Sequence, residues 1–176
     1  MPMQTPRDLF LYELSALHSS EQMIATMLPT LMQEAGDQQL KQGLEHHLQE
    51  TQQQISNLEQ AFQQLGAQPM QVPCKAVEGL KQDHDAFLQQ QPLEQALTAF
   101  VVGASAKTEH FEMACYRGLV EKAQAMGEQQ VVQLLQQNLQ QEETMARQVE
   151  QIGRQLSQQM VGQMGGETGQ QASMQG

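Results

Sequence analysis

The chain has 176 residues, the size of one domain with room for a substantial core. Its 9 Lys and Arg stand against 20 Asp and Glu, a formal charge of −11. That balance excludes the basic footprint of a nucleic-acid binder and adhesion to anionic lipid. Trp is absent and aromatics are 4% of the chain, so the core must be built from Leu, Val, Ile, Ala and 12 Met. Gln numbers 37, about a fifth of all residues, and Gln is a good helix former and a poor strand former.

The first predicted helix runs from about Pro6 to Ala35. Thr5, Pro6 and Asp8 read as an N-cap, a Pro at the first helical position and an acidic first turn. Its apolar stripe is Leu14, Leu17, Glu21, Ile24, Leu28 and Leu31, at steps of three and four. Pro29 falls inside this stretch and predicts a kink or a break. Gly36-Asp37 ends this helix and caps the next. The second helix runs from Asp37 to about Leu65, with Leu40, Leu44, His47, Thr51, Ile55, Leu58, Phe62 and Leu65 inward and Gly66 as its stop.

A long connection follows, from Gly66 to Pro92. A loop of that length predicts its own helix, near Cys74 to Gln90. The third long helix runs from Pro92 to about Met126. The fourth starts near Gly127 or Glu128 and ends near Met160, with Val132, Leu135, Leu139, Glu142, Met145, Val149, Ile152 and Leu156 inward. The segment from Val161 to Gly176 has no apolar period and reads as a disordered Gly/Gln-rich tail after a bundle domain of residues 1–160. The expected fold is all-α: two helical hairpins joined by one long crossover, a known four-helix-bundle topology.

No apolar run approaches the ~20 residues that span a bilayer. The first eight residues lack the charged and apolar regions of a signal peptide. Cys74 and Cys115 are the two cysteines and read as free thiols in a reducing compartment. The expected location is the cytoplasm.

Acids interrupt the apolar stripes. Glu21 follows Leu17 by four and precedes Ile24 by three. Glu142 lies three after Leu139 and three before Met145. Glu109, Glu112 and Tyr116 share a face with Val102, Ser105 and Val120, and Glu50 stands three after His47 at the border of its stripe. Each long helix therefore brings a carboxylate toward the core, about halfway along its length. Unpaired buried carboxylates are costly, and several at one level repel. Protons, paired cations or a metal would relieve them. Basic residues are few and none follows the inner stripes, so a cation between the helices is the simplest expectation. Oxygen ligands with an imidazole suit iron or manganese. In the di-iron carboxylate pattern Glu50 and Glu142 hold the pair positions, with Glu21 and Glu109 as the single ones.

At these residues the sequence resembles a known family. Leu9-Phe10 to Glu21, His47-Leu48-Gln49-Glu50-Thr51, Cys74-Lys75-Ala76-Val77-Glu78-Gly79-Leu80, Glu109-His110-Phe111-Glu112 to Tyr116, and Leu139 to Glu142 are similar to the YciE/YciF family of bacterial stress-associated proteins. The resemblance covers most of residues 7–157. It implies a ferritin-like bundle, a homodimer and a di-iron or di-manganese site. The third long helix resembles that of rubrerythrin, where a Glu-x-x-Glu pair serves either iron as the redox state changes; Glu109 and Glu112 match that spacing. The resemblance implies Glu21, Glu50, Glu109, Glu112 and Glu142 as metal ligands.

Two positions depart from the pattern. The nitrogen ligand usual after the second-helix Glu would fall at Gln53 or Gln54, and Ala146 stands where relatives carry a carboxylate. His18, His47 and His110 are the candidate substitutes, with His47 one turn before Glu50 the one included in the ligand set. His110 points about 100° from Glu109 and reads as a surface or supporting residue. His46 and His84 have no acidic partner in any stripe and read as solvated. Tyr116 reads either as a core Tyr or as a hydrogen-bond partner of a ligand carboxylate. Cys74 opens the crossover helix.

Three functions remain open: a stress-associated metal protein acting on oxygen or peroxide, a metal buffer without turnover, and a structural or interaction bundle with a degenerate or single-metal site.

Overall fold

The computed structural model describes residues 3–173, with side chains through residue 160. All regular structure among them is helical: α1 (Pro6–Glu34), α2 (Gln38–Gln64), α3 (Lys75–Leu88), α4 (Glu94–Ala125) and α5 (Gln129–Ser173). The backbone of α5 runs on through 161–173, within the segment expected as a tail; the side chains of that segment lie outside the described residues.

Local chemistry sets the helix ends. Thr5 Oγ1 accepts the Asp8 backbone N–H at 3.1 Å, and Asp8 Oδ2 accepts the Thr5 N–H at 2.9 Å, a reciprocal cap. Asp37 Oδ1 caps α2 by accepting from the Leu40 N–H at 2.7 Å. Gly66 (φ 61°) and Gly127 (φ 78°) end α2 and α4 in the left-handed region. The N–H groups of Ala67 and Glu128 then reach back to the carbonyls of Phe62 and Ala123. Pro29 does not break α1. Its missing N–H falls in the last turns, where Leu28 and Leu31 are buried on either side and packing holds the helix.

The core is divided in two. One apolar cluster joins Phe10, Leu14 and Leu17 of α1 with Leu58 and Phe62 of α2, Leu119 of α4 and Leu135 of α5. The other joins Ile24, Leu28 and Leu31 with Leu40, Leu44, Val101, Met145 and Val149. The first takes the beginnings of α1 and α5 and the ends of α2 and α4, so α1 runs with α5 and against α2 and α4. Short turns close the α1/α2 and α4/α5 hairpins, and α2 packs on α5 and α1 on α4. Each fully buried Leu contributes about 1.5–3 kcal/mol.

The crossover helix α3 lies on α4 and α1. Phe87 stacks on Phe100 with ring centroids 4.0 Å apart, and Val77 is buried. His84, expected in solvent, is buried instead, its Nε2 2.7 Å from Glu34 Oε2. Its partner lies on another helix, 50 positions away, beyond the reach of a stripe argument.

Candidate metal centre

Between the two apolar clusters every long helix turns polar. Glu21 on α1, His47 on α2, Glu109 and Glu112 on α4 and Glu142 on α5 are each at most 2% exposed. Ligand atoms of His47, Glu109, Glu112 and Glu142, one from each, lie within 4.8 Å of one another. His47 Nε2 is 3.4 Å from Glu109 Oε1. Glu21 is buried beside them.

Many of these atoms have no hydrogen-bond partner: both oxygens of Glu112, one oxygen each of Glu21, Glu109 and Glu142, and both ring nitrogens of His47. Orphaned buried acceptors of this number are rare in folded proteins. Burial pushes the Glu21, Glu109 and Glu112 carboxyls well above the usual carboxylate range. The neighbouring charge of Glu142 adds to this for Glu21 and Glu109, and that of Glu21 for Glu112. Burial lowers the His47 imidazole, favouring the neutral form that can ligate a cation.

A layer of neutral polar groups supports one side of the cluster. The Tyr116 hydroxyl donates to Glu21 Oε1, and the Gln54 amide donates to Glu142 Oε1. Asn138 Nδ2 donates to the Tyr116 hydroxyl at 3.0 Å and to the backbone carbonyl of Gln54 at 3.2 Å, while its Oδ1 accepts from Asn57 Nδ2 at 2.7 Å. Burial, with Glu21 alongside, raises the Tyr116 phenol well above its usual value, so it stays protonated and donating.

On the opposite side a small cavity of about 30 Å³, enough for about one water, touches His47 and Glu109. Ser105 and Thr108 of α4 line it, and Val77, Leu80 and His84 of α3 roof it. The Ser105 hydroxyl is buried there without a partner.

The structure brings together five of the six residues read as ligands. Glu50 is half-buried at the rim, its Oε1 3.4 Å from Nε2 of the exposed His46. Its charge still raises the Glu109 carboxyl, though Glu142 does so more strongly. Burial raises the Glu50 carboxyl, while His46 counteracts it. His18 points elsewhere, 3.6 Å from Glu59 and edge-on to Phe62. His110 is on the surface, 2.8 Å from Glu150. Sequence reasoning named Gln54 only as a lost nitrogen ligand, and it missed Asn57 and Asn138. Asn138 stands three after Leu135 and four before Glu142, so the stripe itself pointed at it.

A bundle of this helix order, with a carboxylate from α1, α4 and α5 and a histidine from α2 meeting at its waist, is of the ferritin-like class. Residues 5–162 match the family described as domain of unknown function DUF892, and the chain belongs to that family. It is 28% identical over 143 residues to Protein YciF of Escherichia coli strain K12, covering 81% of this chain and 86% of that protein. The solved structure of the E. coli stress protein YciF superimposes with a TM-score of 0.84 at 25% identity, over 89% of this chain and 99% of that one. YcfI of Rhodopseudomonas palustris, a proposed structural protein, matches with a TM-score of 0.81 at 35% identity, over 84% of this chain and 94% of that one. Among the described residues no helix is long and apolar enough to cross a membrane.

Proposed function

We propose that the chain is a stress-associated metal-binding protein whose waist holds iron or manganese, acting on oxygen or peroxide or sequestering the metal. The observation that carries this reading is the buried cluster of His47, Glu109, Glu112 and Glu142, with ligand atoms within 4.8 Å and most of them unpartnered. A hard divalent cation satisfies such atoms at one stroke, and the donor set of carboxylates with one imidazole fits iron or manganese. When bound, such an ion supplies redox and Lewis-acid chemistry. The chain's own part is to hold neutral His47 beside Glu109, to hold the Tyr116 O–H on Glu21, and to admit small molecules through the cavity beside Ser105. A cytoplasmic location and a homodimer belong to the same proposal.

Elemental analysis after anaerobic loading with Fe(II) or Mn(II) tests it, beside Glu142→Ala. Metal retained by the chain and lost in the variant supports the reading; no retention in the parent chain overturns it. Peroxide consumption by the loaded protein then separates turnover from storage.

A second reading is a structural bundle with a degenerate site. Gln54, a neutral amide, fills a position beside Glu142, and Ala146, also buried, offers no ligand there. The proposed role of the Rhodopseudomonas relative agrees with it. On this reading Glu21→Ala and Glu142→Ala leave the thermal stability in excess metal unchanged or raise it. A metal-induced rise in Tm that these variants abolish would sink it.

A further inference from the structure

We infer that the waist is a one-ion site, closed to a second ion by Gln54. This rests on the metal-binding reading and specifies its stoichiometry. Four residues present ligand atoms within one ion's reach: His47, Glu109, Glu112 and Glu142. Two further oxygens beside these ligand atoms already accept hydrogen bonds. Glu142 Oε1 accepts the Gln54 amide N–H, and Glu21 Oε1 accepts the Tyr116 hydroxyl.

Both donors are buried beside one polar network. Asn138 binds the Tyr116 hydroxyl directly and is itself held by Asn57, and it also donates to the backbone carbonyl of Gln54, fixing the point of α2 from which the Gln54 side chain reaches Glu142. Gln54, Asn138 and Tyr116 are fully buried and Asn57 nearly so, leaving no water to replace these bonds. The remaining carboxylate that could have served a second ion, Glu50, is at the rim against His46. Ala146 adds none.

Charge supports the same number. Three carboxylates and a neutral imidazole balance one trivalent ion and leave one negative charge around a divalent one. Glu21 has its Oε1 satisfied by the hydrogen bond that the Tyr116 hydroxyl donates and does not need an ion. Its free oxygen, Oε2, faces the same waist and has no partner, so it can adjust to the ion without being required by it.

The test is a count. The full chain is loaded anaerobically with Mn(II), freed of excess, and measured by elemental analysis and electron paramagnetic resonance. About one Mn per chain, with the signal of an isolated ion, is expected. Gln54→Glu replaces the blocking amide with a ligand and is expected to bring the count to about two with a spin-coupled signal, whereas Tyr116→Phe is expected to stay at about one. Two coupled ions in the parent chain overturn the one-ion inference and leave the metal reading standing. No bound Mn overturns both. One ion in the parent and in a folded Gln54→Glu overturns the role given to Gln54.

Discussion

His84 on the crossover helix sits 2.7 Å from Glu34 at the end of α1, both shielded from solvent. One short segment is thus fastened across the hairpin it must bridge, beside the cavity that touches His47 and Glu109. His84→Ala removes the imidazole and leaves the Glu34 carboxylate without its partner. The expected cost is about 1–3 kcal/mol, read as a shift of the urea midpoint. No shift would mean that apolar packing by Val77 and the Phe87–Phe100 stack docks α3 without the pair.

The pH dependence of the metal-free protein follows from the raised carboxyls. Glu21, Glu109 and Glu112 keep their protons in the fold at pH values where the unfolded chain, near the ordinary 4.5, has released them. Their contribution is complete below that value and is lost as pH rises toward the higher folded values. With chelator present, Tm is therefore expected to be higher at about pH 5 than at about pH 8. The net charge of −11 pushes in the same direction through self-repulsion. A bound cation needs the ionised carboxylates, so its stabilisation grows with pH. An apo Tm that rises with pH would contradict the buried-carboxyl picture.

Glu112→Gln isolates the cost of the cluster itself. Both Glu112 oxygens are buried without a hydrogen-bond partner. An amide of the same shape is neutral without taking up a proton on folding, and metal-free stability at neutral pH is expected to rise by about 1–3 kcal/mol. The metal-dependent increment should shrink in the same variant. Thermal melts with chelator and with Mn(II) read both effects; a less stable apo variant would refute the first.

Tyr116→Phe tests the supporting layer. The change deprives Glu21 Oε1 of its donor and Asn138 Nδ2 of one acceptor. Stability is expected to fall by about 1–3 kcal/mol, because buried polar atoms are orphaned while the ring's packing stays. Asn138 keeps its bond to the Gln54 carbonyl, which limits the loss. Denaturant unfolding of the metal-free protein measures it.

Much of this architecture was readable from the chain. Leu14, Leu17, Ile24 and Leu28 repeat with the helical period, and Glu21 and Glu142 interrupt such stripes at the level where they meet. Caps at Thr5 and Asp37 are local chemistry and so are legible locally. Glu50 was less so, because a border position becomes inward or outward only when the neighbouring helix is placed. Gln54 was legible only as a missing nitrogen ligand: with 37 Gln in the chain, nothing marked this one as the donor to Glu142. His84 needed the docking of α3, a long-range event that no periodicity encodes.

The absence of tryptophan has a practical consequence. Only two tyrosines, Tyr12 and Tyr116, dominate the near-ultraviolet absorption of this chain, one 40% exposed at the surface and the other sealed at the waist with its hydroxyl on Glu21. Half of the intrinsic chromophore is therefore already installed one hydrogen bond from the place where an ion would arrive. The protein carries its own optical reporter, and a Tyr12→Phe background would let that reporter be heard alone.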